Sequence, residues 1–263
     1  MGTSPEELYN DLASSYHLIF EDWEQSIARQ AAVLGPLIER TTGVPVPRVL
    51  DCACGIGTQA LGLAQRGHVL VGSDLSQRAV DRAREEAQQR GLNIPFYVAD
   101  MRDLSTVPER DFDAVLVGDN ALPHLMTQLE LEQALAQMWM KLADPGVLVA
   151  TLRDYDTLSA TKPSVQPPAF YVRDGKTRIV HQVWQWDGNA YVSHLYITIQ
   201  TEDGWDVRHF ASRYRALLRA ELNQALGRAG FTGVEWLDPE VSGFISQSLW
   251  QEKQPACELL WRV

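Results

Sequence analysis

The sequence predicts an α/β protein built on a doubly wound, mostly parallel sheet, with a helical lid ahead of it and an antiparallel β insert behind it. Three observations carry this. Between residues 48 and 152, short apolar runs alternate with amphipathic stretches of helical spacing, the pattern of strands and crossover helices in a parallel sheet. A glycine turn, Gly55-Ile56-Gly57, follows the first run, where a strand hands over to a helix. Beyond Arg153 the apolar period drops to two, as in strands with one buried face.

Ser4-Pro5-Glu6-Glu7 combines an N-cap serine, a proline at the first helical position and a glutamate three residues after the cap. A helix therefore starts at once, carrying Leu8, Leu12 and Tyr16. A second helix from Trp23 to Ile38 spaces Ile27, Ala31, Leu34 and Ile38 by threes and fours, and Pro45 and Pro47 close this unit. Arg48 to Cys54 reads as a fully buried strand running into the glycine turn. The next helix runs to Arg66 with Gly67 as its stop, and His68 to Asp74 is the second strand. Ser76 caps a helix from Gln77 to Arg90 that Gly91 ends, and Ile94 to Ala99 is the third strand. Phe112 to Gly118 is the fourth. Thr127-x-x-Glu130 is a capping box for a helix with Leu131, Leu135, Met138 and Leu142 on one face, and Val147 to Leu152 is the fifth strand.

The insert begins with a stretch from Ser159 to Ala169 that holds three prolines. Three strands follow, Arg178 to Trp186, Tyr191 to Gln200 and Trp205 to Tyr214, joined at Asp187-Gly188-Asn189 and Asp203-Gly204. A helix from Arg215 to Ala229 ends at Gly230, and the runs Gly233 to Leu237 and Ala256 to Val263 are expected to return to the main sheet. The expected organisation is a lid over 1–44, a ligand-binding core over 45–158, an antiparallel cap over 159–214 and C-terminal elements over 215–263 that complete the core sheet.

With 263 residues, 45% of them hydrophobic and 22% charged, the chain can bury a core, and one domain with a cap fits the length. Its formal charge of −11 repels phosphate backbones and anionic headgroups, so neither nucleic acid nor membrane is expected as a partner. No run approaches the roughly 20 apolar residues that span a bilayer. Met1 to Glu7 is polar and acidic where a secretory leader would be basic and then apolar, and a cytoplasmic protein is expected. Cys52, Cys54 and Cys257 form an odd set without paired CxxC spacing; they read as reduced thiols, and no metal is expected.

In a doubly wound sheet, ligands bind at the carboxyl ends of the strands. Those ends carry Asp51, Gly55 and Gly57 after the first strand, Asp74 after the second, Asp100 and Met101 after the third, Asp119 and Asn120 after the fourth, and Arg153 after the fifth. Gly55-x-Gly57-x-x-Ala60 with Asp74 following fits a dinucleotide fingerprint tolerably. A diphosphate, however, would face several carboxylates, each costing on the order of a few kcal/mol in a partly buried site. Against a cation the sign reverses. S-adenosylmethionine (SAM), with an ammonium, a sulfonium, a ribose diol and no phosphate, suits this set and is the cofactor expected.

Val49 to Gly57, followed by Gly72-Ser73-Asp74-Leu75-Ser76, resembles the first two motifs of class I SAM-dependent methyltransferases, a Rossmann-like fold, over roughly residues 48 to 152. Further on, Phe112-Asp113-Ala114-Val115, Asp119 to Leu125, Arg153-Asp154-Tyr155-Asp156 and Ser212-Arg213-Tyr214 resemble the glycine and glycine/sarcosine N-methyltransferases. The resemblance implies that Asp74 with Leu75 holds the ribose, that Asp100 with Met101 borders the adenine, and that Cys54, Gly55 and Asn120 surround the methionine part, with Asp51 and Gly57 in the same loop. It also implies that Arg153 pairs with a substrate carboxylate and that Asn120 and His124 place the amine.

A guanidinium suits bidentate capture of an anion; the alternative for Arg153 is a salt bridge to Asp154 or Asp156, and for His124 a hydrogen bond to loop backbone. Of Tyr155, Tyr171, Tyr196 and Tyr214, the residues expected to turn hydroxyls toward the methyl group are Tyr171 and Tyr214; packing is the alternative. The leading expectation is methyl transfer to a small amino acid with a free carboxylate, by in-line displacement aided chiefly by alignment. A larger natural-product acceptor and a non-catalytic SAM-binding module are the alternatives, and a homo-oligomer is left open. The chain departs from the family in its short N-terminal segment, in Gly118-Asp119 ahead of Asn120, and in its Tyr16-His17-Leu18-Ile19-Phe20 lid.

Overall fold

Ser4 accepts the Glu7 amide and Glu7 reaches back to the Ser4 amide, forming the capping box that starts α1 (Pro5–Leu12) in the computed structural model, which describes residues 4–237 and the backbone of 256–262. The helix ends sooner than its apolar spacing suggested: Ser14 and Ser15 follow it, residues that compete for backbone hydrogen bonds, and Tyr16 falls in a 3₁₀ turn over Tyr16–Ile19. The second helix, α2 (Trp23–Thr42), begins on Asp22, whose side chain accepts from the Gln25 amide, and runs past Ile38 until Gly43 turns left-handed at φ 72°.

The main sheet is built from β1 (Arg48–Asp51), β2 (Val69–Asp74), β3 (Phe96–Val98), β4 (Phe112–Val117) and β5 (Leu142–Arg153), all parallel, with α3 (Thr58–Gln65), α4 (Gln77–Gln89) and α5 (Gln128–Lys141) as crossovers. Leu50, Val115, Leu116 and Val149 are buried, as expected of strands covered on both faces. The Thr127 capping box on α5 forms as read. Two C-terminal strands, β10 (Gly233–Leu237) and β11 (Ala256–Arg262), return to the sheet, with β11 antiparallel to β5, giving the order β10-β11-β5-β4-β1-β2-β3. The order reverses at β1, so the crevice between β1 and β4 is the topological switch point. No described helix is long and apolar enough to cross a membrane.

A short helix, α6 (Tyr155–Thr161), was not anticipated; Asp154 caps it. The second sheet has four antiparallel strands in sequence order, β6 (Val165–Arg173), β7 (Lys176–Asp187), β8 (Ala190–Gln200) and β9 (Trp205–Arg215), one more than its alternation suggested. The hidden strand is β6, whose Pro167 and Pro168 sit where the register slips between Gln166 and Ala169 on an edge strand, the place a sheet tolerates proline. The helix α7 (Arg219–Ala229) starts later than expected because Arg215 still pairs with Ala190 in the ladder. The inner face of this sheet packs Trp184 and Tyr191 with Leu152, Tyr155 and Leu217 in one core.

Candidate functional site

A cavity of about 370 Å³ opens over the carboxyl ends of β1 to β4, with α1 and the 3₁₀ turn supplying Tyr9 and Tyr16 to its wall. Its floor is the β1–α3 turn. Gly55 lies at φ 54°, and a Cβ there would meet no atom within 4 Å, so bare backbone faces open space. Gly57, at φ 93°, is different: a Cβ would press on Leu61 at 3.2 Å, and the residue does not border the cavity. It caps α3 and leaves room for the Leu61 and Ala83 side chains, a packing role where cofactor contact was expected.

Asp74 ends β2 and stands over this turn. One carboxylate oxygen accepts the Gly55 amide at 2.8 Å and the other the Ser76 amide at 2.8 Å, so the side chain is aimed before any ligand arrives. Burial raises its pKa while those two amides lower it. Leu75, Cys54, Asp100 and Met101 also border the cavity. Asp100 accepts both the Nε and the backbone amide of Arg102, which hold its pKa below the ordinary value although burial opposes them.

Asp51 lies behind the turn, fully buried. Burial pushes its carboxyl up to about 8, the Asp119 and Asp74 charges add to the shift, and the amides of Ala53 and Ala60 oppose it. At pH 7 it is therefore mostly protonated and neutral, and it is not part of the wall.

After β4 the backbone turns left-handed at two consecutive residues, Asp119 at φ 49° and Asn120 at φ 64°. The turn presents Asp119 to the cavity, where its Oδ2 accepts the Tyr16 hydroxyl at 3.2 Å. Asn120, expected at the methionine part and the amine, points the other way: its Nδ2 donates to the Tyr155 hydroxyl at 2.9 Å and its Oδ1 accepts the Arg153 amide at 3.2 Å. It secures the turn and does not border the cavity.

His124 does border it, and its Nε2 meets the Tyr9 hydroxyl at 3.0 Å in place of loop backbone. Burial lowers its pKa to about 4, the Arg213 carbonyl opposes and the Arg153 charge adds, so the ring is neutral at pH 7. The Tyr214 ring lies 4.2 Å from it, and Tyr214 in turn stacks on Tyr191 at 5.3 Å. Neither Tyr214 nor Arg153, both expected at the site, borders the cavity; the Arg153 Nη1 donates to the Tyr191 hydroxyl at 2.9 Å and its guanidinium lies 4.9 Å from the Trp184 ring. Among the described residues it forms no ion pair; Asp154 and Asp156 pair with Arg219 instead, each at 3.7 Å. Tyr171 is not brought to the site: it lies beneath Arg178 on the inner face of the second sheet, with Ala169 and Val180 in the other core.

Tyr9, Tyr16 and Gln59, given no site role from the sequence, line the cavity, as does Asp119, read only as a strand-end acid. Only Asp119 had a legible signal, its place at a strand end.

A family model described as a methyltransferase domain matches residues 49–146. A protein of Geobacillus sp. (strain WCH70) that carries a methyltransferase name is 28% identical over 194 residues, covering 72% of this chain and 75% of that one. The glycine/sarcosine N-methyltransferase of Parasynechococcus marenigrum (strain WH8102) is 33% identical over 110 residues, 42% of this chain and 39% of its own. Among solved structures, the SAM-bound amino pentose methyltransferase of Micromonospora echinaspora superposes with a TM-score of 0.73 at 20% identity, covering 95% of each chain.

Proposed function

We propose that the chain is a class I SAM-dependent methyltransferase, in keeping with the methyltransferase domain it matches over residues 49–146, and that it methylates the amine of a small acceptor carrying a free carboxylate, of the glycine or sarcosine type. The cavity suits the cofactor in charge and shape. Its wall holds Glu6, Asp74, Asp100, Asp119 and Glu130 against one guanidinium, Arg102, which is already paired with Asp100 and Glu130. A diphosphate would meet that excess of carboxylates, while a cation is stabilised by it. Asp74 would hold the ribose hydroxyls, Gly55 and Cys54 would lie along the methionine part, and Asp100, Leu75 and Met101 would border the adenine. When bound, SAM supplies a methyl group on a sulfonium that departs as a neutral thioether.

The chain's own work is then alignment and charge. Asp119 and the Tyr16 hydroxyl, and His124 with the Tyr9 hydroxyl, place polar atoms on the wall between lid and core. They orient a neutral amine rather than deprotonate it, because a His124 with a pKa of about 4 is too weak a base. The observation that carries the acceptor class is Arg153, a guanidinium with no ion-pair carboxylate among the described residues, hydrogen-bonded to the hydroxyl of Tyr191, whose ring stacks on Tyr214. An incoming carboxylate is the group that balances it.

A second reading, an amine on a larger natural-product acceptor, is favoured by a different feature. Arg153 already donates to Tyr191 and lies over Trp184, so it can serve the aromatic packing alone. One experiment separates the two: kinetics of the wild type and of Arg153→Ala on glycine, sarcosine and amines lacking a carboxylate. The amino-acid reading expects turnover of glycine-type amines and a KM raised at least about 30-fold in the variant, the loss of a charge-assisted pair. Equal turnover of carboxylate-free amines, with glycine kinetics unmoved by the substitution, overturns it.

A further inference from the structure

Alternation on the second sheet sends Val180, Trp184, Tyr191 and Ile197 inward to the core and leaves the intervening positions pointing out. The ladder register aligns these outward residues in rows. Phe170, Ile179, Thr198 and Val207 make one complete row across all four strands. Beside it Val172 and Trp205 occupy the two edge strands, and on its other side His181, Tyr196 and His209 stack ring on ring.

Two properties set this face apart. Phe170, Val172, Trp205 and Val207 are 61%, 72%, 54% and 58% exposed, four of the ten exposed large apolar side chains among the described residues. No Asp, Glu or Lys stands in the rows from Val172 to His194, in a chain that is 22% charged. Clustered exposed apolar residues and depletion of charge are together the signature of an interface core.

We infer that this outer sheet face is the surface on which two copies of the chain associate, sheet against sheet. The charge pattern selects the occupant. Each chain carries a net charge of −11, so two copies repel wherever their charged surfaces meet. A face without carboxylates is where that repulsion is least, and it offers a basic partner nothing to recognise. Its best complement is another apolar, uncharged, similarly twisted sheet, which a second copy provides, and two such sheets pack about 10 Å apart. Four strands about 4.8 Å apart and four rows about 6.8 Å apart give a footprint on the order of 500 Å² before side-chain relief. That is the scale of one side of a standard interface, about 800 Å² per partner. The pairing also leaves the cavity free, since none of these residues borders it.

Sedimentation velocity on the full chain from ~1 to ~100 µM tests this. The expected species is a dimer of the 29.5 kDa chain. Phe170→Glu and Val207→Glu, which set like charges against each other across the two-fold, should each raise the dimer dissociation constant about 100-fold or more. Leu129→Glu, at an exposed apolar position on α5 outside these rows, should leave it unchanged. Melting temperature and SAM titration verify that the variants fold; should one fail, hydrogen exchange of wild-type β6 and β9 at low and high concentration reads the same face. A wild type that stays monomeric throughout the series, or a dimer that persists in both sheet variants, overturns the inference.

Discussion

The Tyr9 hydroxyl and the Nε2 of His124 meet at 3.0 Å across 115 positions of sequence, joining the first helix to the loop after β4. Tyr16 makes a second such tie to Asp119. Both partners border the cavity, so the wall is complete only while α1 is docked. Tyr9→Phe removes the hydroxyl and leaves a buried imidazole nitrogen without its partner, a loss of about 1–3 kcal/mol. The expected result is a denaturation midpoint lowered accordingly and weaker SAM binding by calorimetry. The pH dependence has a fixed sign: a His124 titrating near 4 in the folded chain and near 6.5 unfolded binds fewer protons when folded. Its contribution is therefore full above about 6.5 and is lost as pH falls toward 4, which a melting series across that range reads.

Asp74 is aimed by two amides, from Gly55 and Ser76, that leave each carboxylate oxygen with a free lone pair. Asp74→Asn keeps the volume but removes the charge that strengthens hydrogen bonds to hydroxyl donors. With each charge-assisted bond contributing about 1.5–3 kcal/mol, SAM affinity should fall about 30-fold or more by calorimetry. A variant that binds SAM as the wild type does would remove Asp74 from the cofactor site.

Asp51 makes a prediction about stability. Its carboxyl titrates near 8 when folded and near 3.9 in an unfolded chain, so between those values the folded state holds a proton that the unfolded state has lost. Folding is penalised progressively as pH rises from about 4 to 8, and the penalty levels off above that. Asp51→Asn stays neutral throughout. Its melting temperature should match the wild type near pH 4, exceed it increasingly up to pH 8 and then run parallel; a constant difference across the series contradicts the assigned burial.

Local pattern made Gly55 and Asp74 legible, because a buried run, a glycine turn and a second buried run ending in an acid already specify a strand-turn-helix-strand unit with both residues at one end. Asp119 and Asn120 were not separable in the same way. Which of two neighbours faces the cavity depends on consecutive left-handed backbone angles, 49° and 64°, that no apolar period encodes. Tyr16 read as a helical core position, whereas its role comes from a contact 103 positions away. Tyr171 was misplaced for a related reason: period-two alternation tells which side chains share a sheet face, not which end of the strand reaches the site. The proline pair hid β6 because proline argues against a strand unless the strand is known to be an edge.

Asn120 joins these threads, since its two side-chain hydrogen bonds, to the Tyr155 hydroxyl and from the Arg153 amide, hold the turn that presents Asp119. Asn120→Ala loses both bonds, strands the Arg153 amide and forces a Cβ residue without a compensating polar side chain to φ 64°. Together these should lower stability by about 2–4 kcal/mol in chemical denaturation. Asn120→Gly loses the same bonds but accepts the backbone angle freely, so it should be less damaged by about 1 kcal/mol. If the turn serves only stability, both variants keep wild-type kinetics below their melting temperatures. If it positions Asp119 and Arg153, as the geometry argues, both lose turnover together, and the glycine variant recovers stability without recovering rate.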